Sequence, residues 1–273
     1  MNKGISPFSK KRQEYLKGTV SRKHAILLGK IAIIVSLFGL WQLGSSMGWI
    51  NSFILSSPIR LIASIWGLVQ SGQLWQHLWI TTYEVVIGFL LGSCLGIFIA
   101  ILLWAFPMTN KILEPYLVVI NSLPKIALGP VFIVWFGAGS SSIIAITVAI
   151  SLVVTIMEVL AGFLATDQSI ITLLKSMGAN KMGILSKIVL PANIPTILNS
   201  LKVSVGMSWV GVIVGEFLVS RGGLGYLIVY GSQVFKMDLV MASVFILAVE
   251  CTIMYFAVAF VEKKFCDKQN RNS

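Results

Sequence analysis

Five charged side chains sit within or beside long apolar stretches, and chemistry is to be sought there first. Glu158, Lys202, Glu216 and Glu250 fall inside apolar runs, and Lys125 lies in a proline-broken one. An ionisable group inside a membrane span is costly, and it marks a pathway, a relay or a buried pair. Glu216 follows Gly215 and precedes Arg221 by five residues. An ion pair with Lys125 or Arg221 that fixes helix packing therefore stands beside proton relay and solute contact as its role. Catalytic machinery is not visible elsewhere. His24 lies in a basic tail and His77 precedes an apolar run, with no Cys, Ser or Asp at motif spacing to either. Asp167, Asp238 and Asp267 all fall outside the apolar runs, so no intramembrane aspartyl pair exists. Gly29-Lys30 is followed by Ile31, and Gly222-Gly223-Leu224-Gly225 lacks the lysine that a phosphate-cradling loop needs. Cys94, Cys251 and Cys266 have neither disulfide nor metal spacing.

The elements that must hold these residues are apolar helices. Of 273 residues, 56% are hydrophobic and only 11% are charged, against roughly 25% in a soluble domain. Mean hydropathy is +0.89. These values exclude a disordered chain, a disulfide-stapled domain and a typical soluble enzyme, and leave a polytopic membrane protein. Spanning a hydrocarbon core takes roughly 20 apolar residues in helical form. Spans are expected at about Ile31–Trp49, from about Val85 to Phe106, and at about Ile112–Phe136, Ile143–Phe163, Leu198–Val219 and Leu239–Val261. The alternation of a membrane β-barrel is absent from these runs. The third span carries Pro115, Pro124 and Pro130, each of which removes a backbone donor. It reads either as a kinked structural helix or as a wall of a water-filled path.

Charge placement predicts orientation. Sixteen Lys/Arg fall in Met1–Lys30, the loops after spans two and four, and the C-terminal tail; the opposite loops hold Arg60, Arg221 and Lys236. Cytoplasmic loops carry such an excess, so both termini are expected in the cytoplasm. The formal charge of +11 then reads as a topology signal against anionic lipid rather than a nucleic-acid footprint. The first apolar run reads as a retained span, because no small-x-small cleavage site follows it cleanly.

The segment from Thr166 to Pro195 is the most informative. Asp167 is placed to cap a short helix carrying Ile170, Leu173, Leu174 and Met177 at helical spacing. Gly178 is a helix stop that needs positive φ or close backbone approach. A second short helix starts at Asn180 and carries Lys181 and Lys187, with Pro191 and Pro195 breaking the chain before span five. Such a pair of helices can lie on lipid, pack on the chain's own spans, or dock in a partner's groove.

Gly178, nine residues, Ile188, one residue and Leu190-Pro191 resemble the end of the EAA loop of ABC-importer permeases, the binding-protein-dependent inner-membrane components. Pro124-Lys125-Ile126-Ala127-Leu128-Gly129-Pro130 with Phe132-Ile133-Val134-Trp135-Phe136-Gly137-Ala138-Gly139 is similar to the third-span signature of the nitrate/sulfonate/taurine subgroup. Gly215-Glu216-Phe217 and Gly222-Gly223-Leu224-Gly225-Tyr226 resemble that subgroup's segment after span five. Two departures stand out. Thr172-Leu173-Leu174 replaces the usual Glu-Ala-Ala, and Glu84 stands where the family often has arginine.

The resemblance implies an all-α polytopic fold of six transmembrane helices with a cytoplasmic coupling loop. Its parts would be a basic tail over residues 1–30, a permease domain over 31–262 with the loop at about 164–195, and a tail over 263–273. It implies two cytoplasmic ABC ATPase subunits, a second permease copy as a homodimer, and an extracytoplasmic binding protein, in a bacterial inner membrane. ATP would serve the partner subunit, with no cofactor, metal or catalytic residue on this chain. Leu173, Leu174, Lys175, Met177, Gly178, Ala179 and Lys181 would meet the ATPase, while Ile188, Leu190 and Pro191 anchor the loop. Pro124, Lys125, Pro130, Trp209 and Glu216 are the candidates for the translocation path. The expected cargo is a sulfonate, nitrate or taurine-like anion, or alternatively a pyrimidine, thiamine or flavin precursor. An ion-coupled carrier acting alone and a receptor or scaffold without transport are the competing classes, and the inverted repeats that would favour a carrier are not apparent.

Overall fold

A computed structural model describes the backbone of residues 7–272 and the side chains of residues 25–264 apart from Leu27 and Ser52. No strand occurs among the described residues. The basic residues before residue 25 and the end of the C-terminal tail lie outside the described side chains.

The chain divides into two units, residues 1–63 and 64–273. The first contains α1 (Pro7–Ser46) and α2 (Ser52–Leu55), and α3 (Pro58–Gln70) begins in it. The membrane-length part of α1 is Leu28–Ser46, three residues earlier than expected at each end. The chain turns at Gly48, whose φ of +74° suits glycine. Ile50 then folds back on Gly44, where a Cβ would come within 2.8 Å of the isoleucine. Pro58 opens α3 at a position where a missing N–H costs nothing.

The second unit is a helical bundle. It holds α4 (Gln73–Ala105), α5 (Pro107–Ser122), a 3-10 turn at Lys125–Leu128, α6 (Gly129–Phe136) and α7 (Ser140–Leu164). After α7 come α8 (Gln168–Ser176), α9 (Lys181–Ile184), a π turn at Leu185–Val189, α10 (Leu190–Ala192), α11 (Ile194–Val219), α12 (Leu224–Gln233) and α13 (Met237–Asn272). Among the described residues of the whole chain, five helices, α1 included, are long and apolar enough to cross a membrane, and α5 with the following turn and α6 makes a sixth if the bent pair is one span.

The bundle is built on α7, which packs between α4 and α11. Small residues make that approach possible. A Cβ on Gly88 would lie 2.5 Å from Thr147, and one on Gly96 2.7 Å from Thr155. From the other side, a Cβ on Gly211 would lie 2.6 Å from the Thr147 Cα. Helices in lipid gain little from expelling each other's apolar surface, so close backbone contact is what joins them. The hydroxyls at the seam satisfy themselves locally. Thr147 donates to Ile143 O at 2.8 Å, Ser151 to Thr147 O at 2.9 Å and Thr155 to Ser151 O at 3.0 Å. Thr155 and Ser204 add a 2.6 Å hydroxyl pair between α7 and α11.

Three expectations change. The second span is a dozen residues longer at its start, which carries Glu84 into the helix. Its extra turns bury Leu74, Thr81 and Glu84 within the protein, so hydropathy alone cannot locate its start. The third span is not one kinked helix: α5 and the following turn with α6 meet at 88°, broken at Leu123-Pro124. Pro191 and Pro195 do not break the chain before α11 either. Both sit in the first turns of helices, where proline is tolerated, and the π turn before them absorbs the change of pitch.

Candidate functional site

The functional residues gather at opposite ends of α4, which at about 1.5 Å per residue is roughly 50 Å long. Its C-terminal end meets the α8–α9 loop. Asp167 caps α8, its carboxylate accepting from the Ser169 N–H at 2.8 Å. That hydrogen bond holds the exposed carboxyl below the usual aspartate range. α8 closes in a Schellman motif: the Ala179 N–H donates to Leu174 O at 2.9 Å and the Gly178 N–H to Lys175 O at 3.0 Å. Gly178 has φ of +84° and open space where a Cβ would be, so conformation rather than crowding requires glycine. Asn180 caps α9 through the Gly183 N–H at 2.7 Å.

The apolar stripe of α8 divides in two. Ile171, which the stripe did not include, is 3% exposed and packs with Ile184, Leu185, Val189 and Phe163. Leu174, Ala179 and Leu190 lie against the same cluster. Leu173 and Met177 instead face outward at 60% and 75% exposure, joined by Ile170 and Met182. The loop thus packs on its own spans along one edge and leaves a second apolar edge uncovered. Lys175 is exposed, whereas Lys181 turns back to donate to Ala105 O at 3.3 Å, at the end of α4. Asn193 ties the loop's return, donating to Thr166 Oγ1 at 2.8 Å and Val189 O at 2.9 Å. Ile188 and Pro191 are half-buried beside it.

At the other end of the bundle, Glu216 is buried at 1% exposure. It pairs with neither Lys125 nor Arg221. Its Oε1 accepts from the Thr81 hydroxyl at 2.7 Å and its Oε2 from the Gly225 N–H at 2.5 Å. Thr81 Oγ1 in turn accepts from the Leu224 N–H at 2.8 Å. The expected ion pair is absent because Lys125 donates to Asn121, through both O and Oδ1 at 3.1 Å, and Arg221 is exposed. Glu216 thereby holds the start of α12 against α4, and Gly223 and Gly225 leave the space its carboxylate fills.

Glu84, also 1% exposed, is buried on α4, and its Oε2 has no hydrogen-bond partner among the described residues. Glu84 lies one residue before the expected start of the second span, so hydropathy gives no sign of its burial. The remaining intramembrane charges separate. Lys202 pairs with Glu262 at 2.9 Å. Glu250 accepts from the Thr82 hydroxyl at 2.6 Å and, with Trp209, lines a cavity of about 340 Å³ between α4, α11 and α13. Glu158 is partly exposed on α7. Of the expected translocation residues, Trp209 and Glu216 lie two turns apart on α11, while Pro124, Lys125 and Pro130 lie on the broken segment.

Apolar helices of this length, joined along a glycine-rich seam, define a polytopic helical membrane protein. Residues 92–266 match the family of binding-protein-dependent transport system inner membrane components, and the chain belongs to that family. It is 29% identical to SsuC of Bacillus subtilis, a permease assigned to aliphatic sulfonates transport, over 88% of this chain and 86% of that one. It is 30% identical to the formylaminopyrimidine transport permease protein ThiX of Halalkalibacterium halodurans, over 70% of this chain and 75% of that one. The fold is similar to that of a bacterial ABC transporter involved in the import of the acidic polysaccharide alginate, with a TM-score of 0.64 at 14% identity, covering 92% of this chain and 99% of that one.

Proposed function

We propose that this permease subunit works in an ATP-driven importer, pairing with a second copy of itself and receiving solute from an extracytoplasmic binding protein. Two separate ABC ATPase subunits would close and reopen beneath it. The observation that carries this reading is the uncovered apolar edge of the loop, Leu173 and Met177 with Met182, held by a rigid Schellman turn. A short apolar helix presented by a firm base is what a groove on a partner can grip. Lys175 lies beside that edge, and the inward row of Ile171, Leu174, Ala179, Leu190 and the half-buried Ile188 and Pro191 carries motion from the loop into α7 and α11. ATP belongs to the partner, because this chain has no phosphate-cradling loop. The loop and both termini are assigned to the cytoplasm by the Lys/Arg excess on that side.

The solute is read as a small organic anion, on the strength of similarity to the sulfonate relative. A pyrimidine-like solute is the second reading, supported by similarity to the formylaminopyrimidine relative. Trp209, Glu216 and the broken segment with Pro124, Lys125 and Pro130 are assigned to the translocation path. Met177→Asp places a charge on an exposed site, so folding should survive. The expected result is loss of ATPase co-purification and of ATP-dependent uptake in vesicles containing every subunit. Undiminished uptake by that variant, or uptake by the isolated chain driven by an ion gradient, would overturn the proposal in favour of a carrier acting alone.

A further inference from the structure

At the end of α4 remote from the loop lies a cavity of about 720 Å³, between α3, the start of α4, the Arg221 turn and α12. Its charged lining is Arg221 and Lys236, with the imidazole of His77 beside them and no Asp or Glu. The salt bridge of Lys202 with Glu262 lies elsewhere in the bundle, and Asp238, two residues from Lys236 in the first turn of α13, does not line the cavity. The buried carboxylate of Glu216 does not line the cavity and is engaged by Thr81 and the Gly225 amide. His77 Nδ1 accepts from the Gly223 N–H at 3.0 Å, so the neutral ring carries its hydrogen on Nε2 and is left as a donor.

Two further features point to the same ligand chemistry. α4 begins after Gly72 without any side-chain cap, and Gln73, Gln76 and His77 of its first turns line the cavity. Uncapped first-turn amides and the positive end of a helix of this length favour an anion. The rings of His77, Tyr226 and Tyr230 stack in series with centroids 6.0 Å apart at each step, giving the cavity an aromatic wall. A positively charged concavity with low-dielectric walls raises the local concentration of an oppositely charged solute.

We propose that this cavity is a receiving site for a small organic anion. Its sulfonate or carboxylate group lies toward Arg221, Lys236 and the α4 amides, and its carbon part lies against Tyr226 and Tyr230. The site sits on the face opposite the coupling loop, so an anion released there enters before reaching the path between the helices. This placement rests on the import reading, whereas binding itself does not.

The test uses the purified full chain in lipid nanodiscs and trifluoromethanesulfonate as the probe, followed by fluorine NMR line broadening. The wild type should broaden the signal saturably, and less so as ionic strength rises, since exposed charges are screened. Arg221→Gln with Lys236→Gln should weaken binding about tenfold or more, the scale expected for losing two charge-assisted contacts. Arg60→Gln with Lys111→Gln, which removes two exposed cations that do not line the cavity, should leave it unchanged. Tyr226→Leu supplies a second variant that keeps both cations and should weaken binding by a smaller factor. Broadening that does not saturate, or that is equal in the Arg221/Lys236 double variant and the wild type, overturns the proposal. So does an Arg221/Lys236 variant that binds the probe normally yet no longer associates with the binding protein, since the cations would then serve protein docking. Saturable, cation-dependent binding by a chain whose uptake proves independent of any ATPase would keep this site and sink the importer reading.

Discussion

The glycine seam makes a prediction that can be worked through from the geometry. On α11, Gly206 and Gly211 are one helix turn and a fraction apart, yet their surroundings differ completely. A Cβ on Gly206 would meet nothing within 4 Å, while one on Gly211 would stand 2.6 Å from the Thr147 Cα and 3.0 Å from its Oγ1. Carbon atoms settle at about 3.5–4.0 Å, so α7 and α11 would have to part by about 1 Å. The obstacle is backbone, which cannot rotate away as a side-chain tip can. Overpacking of this kind costs typically 1–3 kcal/mol. Replacing helical glycine by alanine returns up to about 1 kcal/mol in propensity, and that contribution is common to both positions. The difference between Gly206→Ala and Gly211→Ala therefore isolates the steric cost, about 1–3 kcal/mol against Gly211→Ala. Denaturant titration of the purified protein in detergent, read by tryptophan fluorescence, measures it. Gly92→Ala should fall between the two, because its added Cβ would press on the Ser151 hydroxyl, a group that can turn. Equal stability for Gly206→Ala and Gly211→Ala would refute the claim that backbone approach at α7 organises the bundle.

Other expectations follow from the two ends of α4. Thr81→Val removes a donor to Glu216 and an acceptor for the Leu224 amide; with buried partners left unpaired, a loss of about 2 kcal/mol is expected in the same titration. Amide exchange at Leu224 and Gly225 should rise in parallel. Gly178→Ala forces a side chain into positive φ without any clash, so folding should weaken by about 1 kcal/mol while ATP-coupled uptake drops more than stability does; equal uptake in the two proteins would count against a rigid turn as the coupling element. Because the folded-state pKa of Asp167 is depressed by the Ser169 amide, its cap stabilises α8 above the unfolded pKa of about 3.9 and is lost as pH falls through the lower folded value. Hydrogen exchange at Ser169 should accelerate across that acid window in the wild type and be flat in Asp167→Asn.

Much of the loop was legible because its signals are local. An Asp before an apolar stripe, a glycine at its end and an Asn opening the next turn each act within four residues, and all three caps form where the spacing places them. Which apolar residues face inward was not legible. Ile171 and Leu173 are equally apolar and two residues apart, and only the position of α7 and the π turn buries one and exposes the other. The bent third segment shows the same limit: three prolines announce a break, but not that the halves meet at 88°.

What the amino-acid order alone determined is everything that depends on solvent transfer or on a few adjacent residues. The apolar runs must be helical in lipid because no water is there to satisfy their amides, and the basic segments flank them. Tertiary structure decided the fate of the buried charges. Glu216 found Thr81 and a backbone amide instead of a lysine, and Glu84 is buried on α4 at 1% exposure. The partners of a buried carboxylate are chosen by which helices approach it. That approach is set by glycines facing small side chains more than 50 residues away in the chain, a relation that spacing along one helix does not carry.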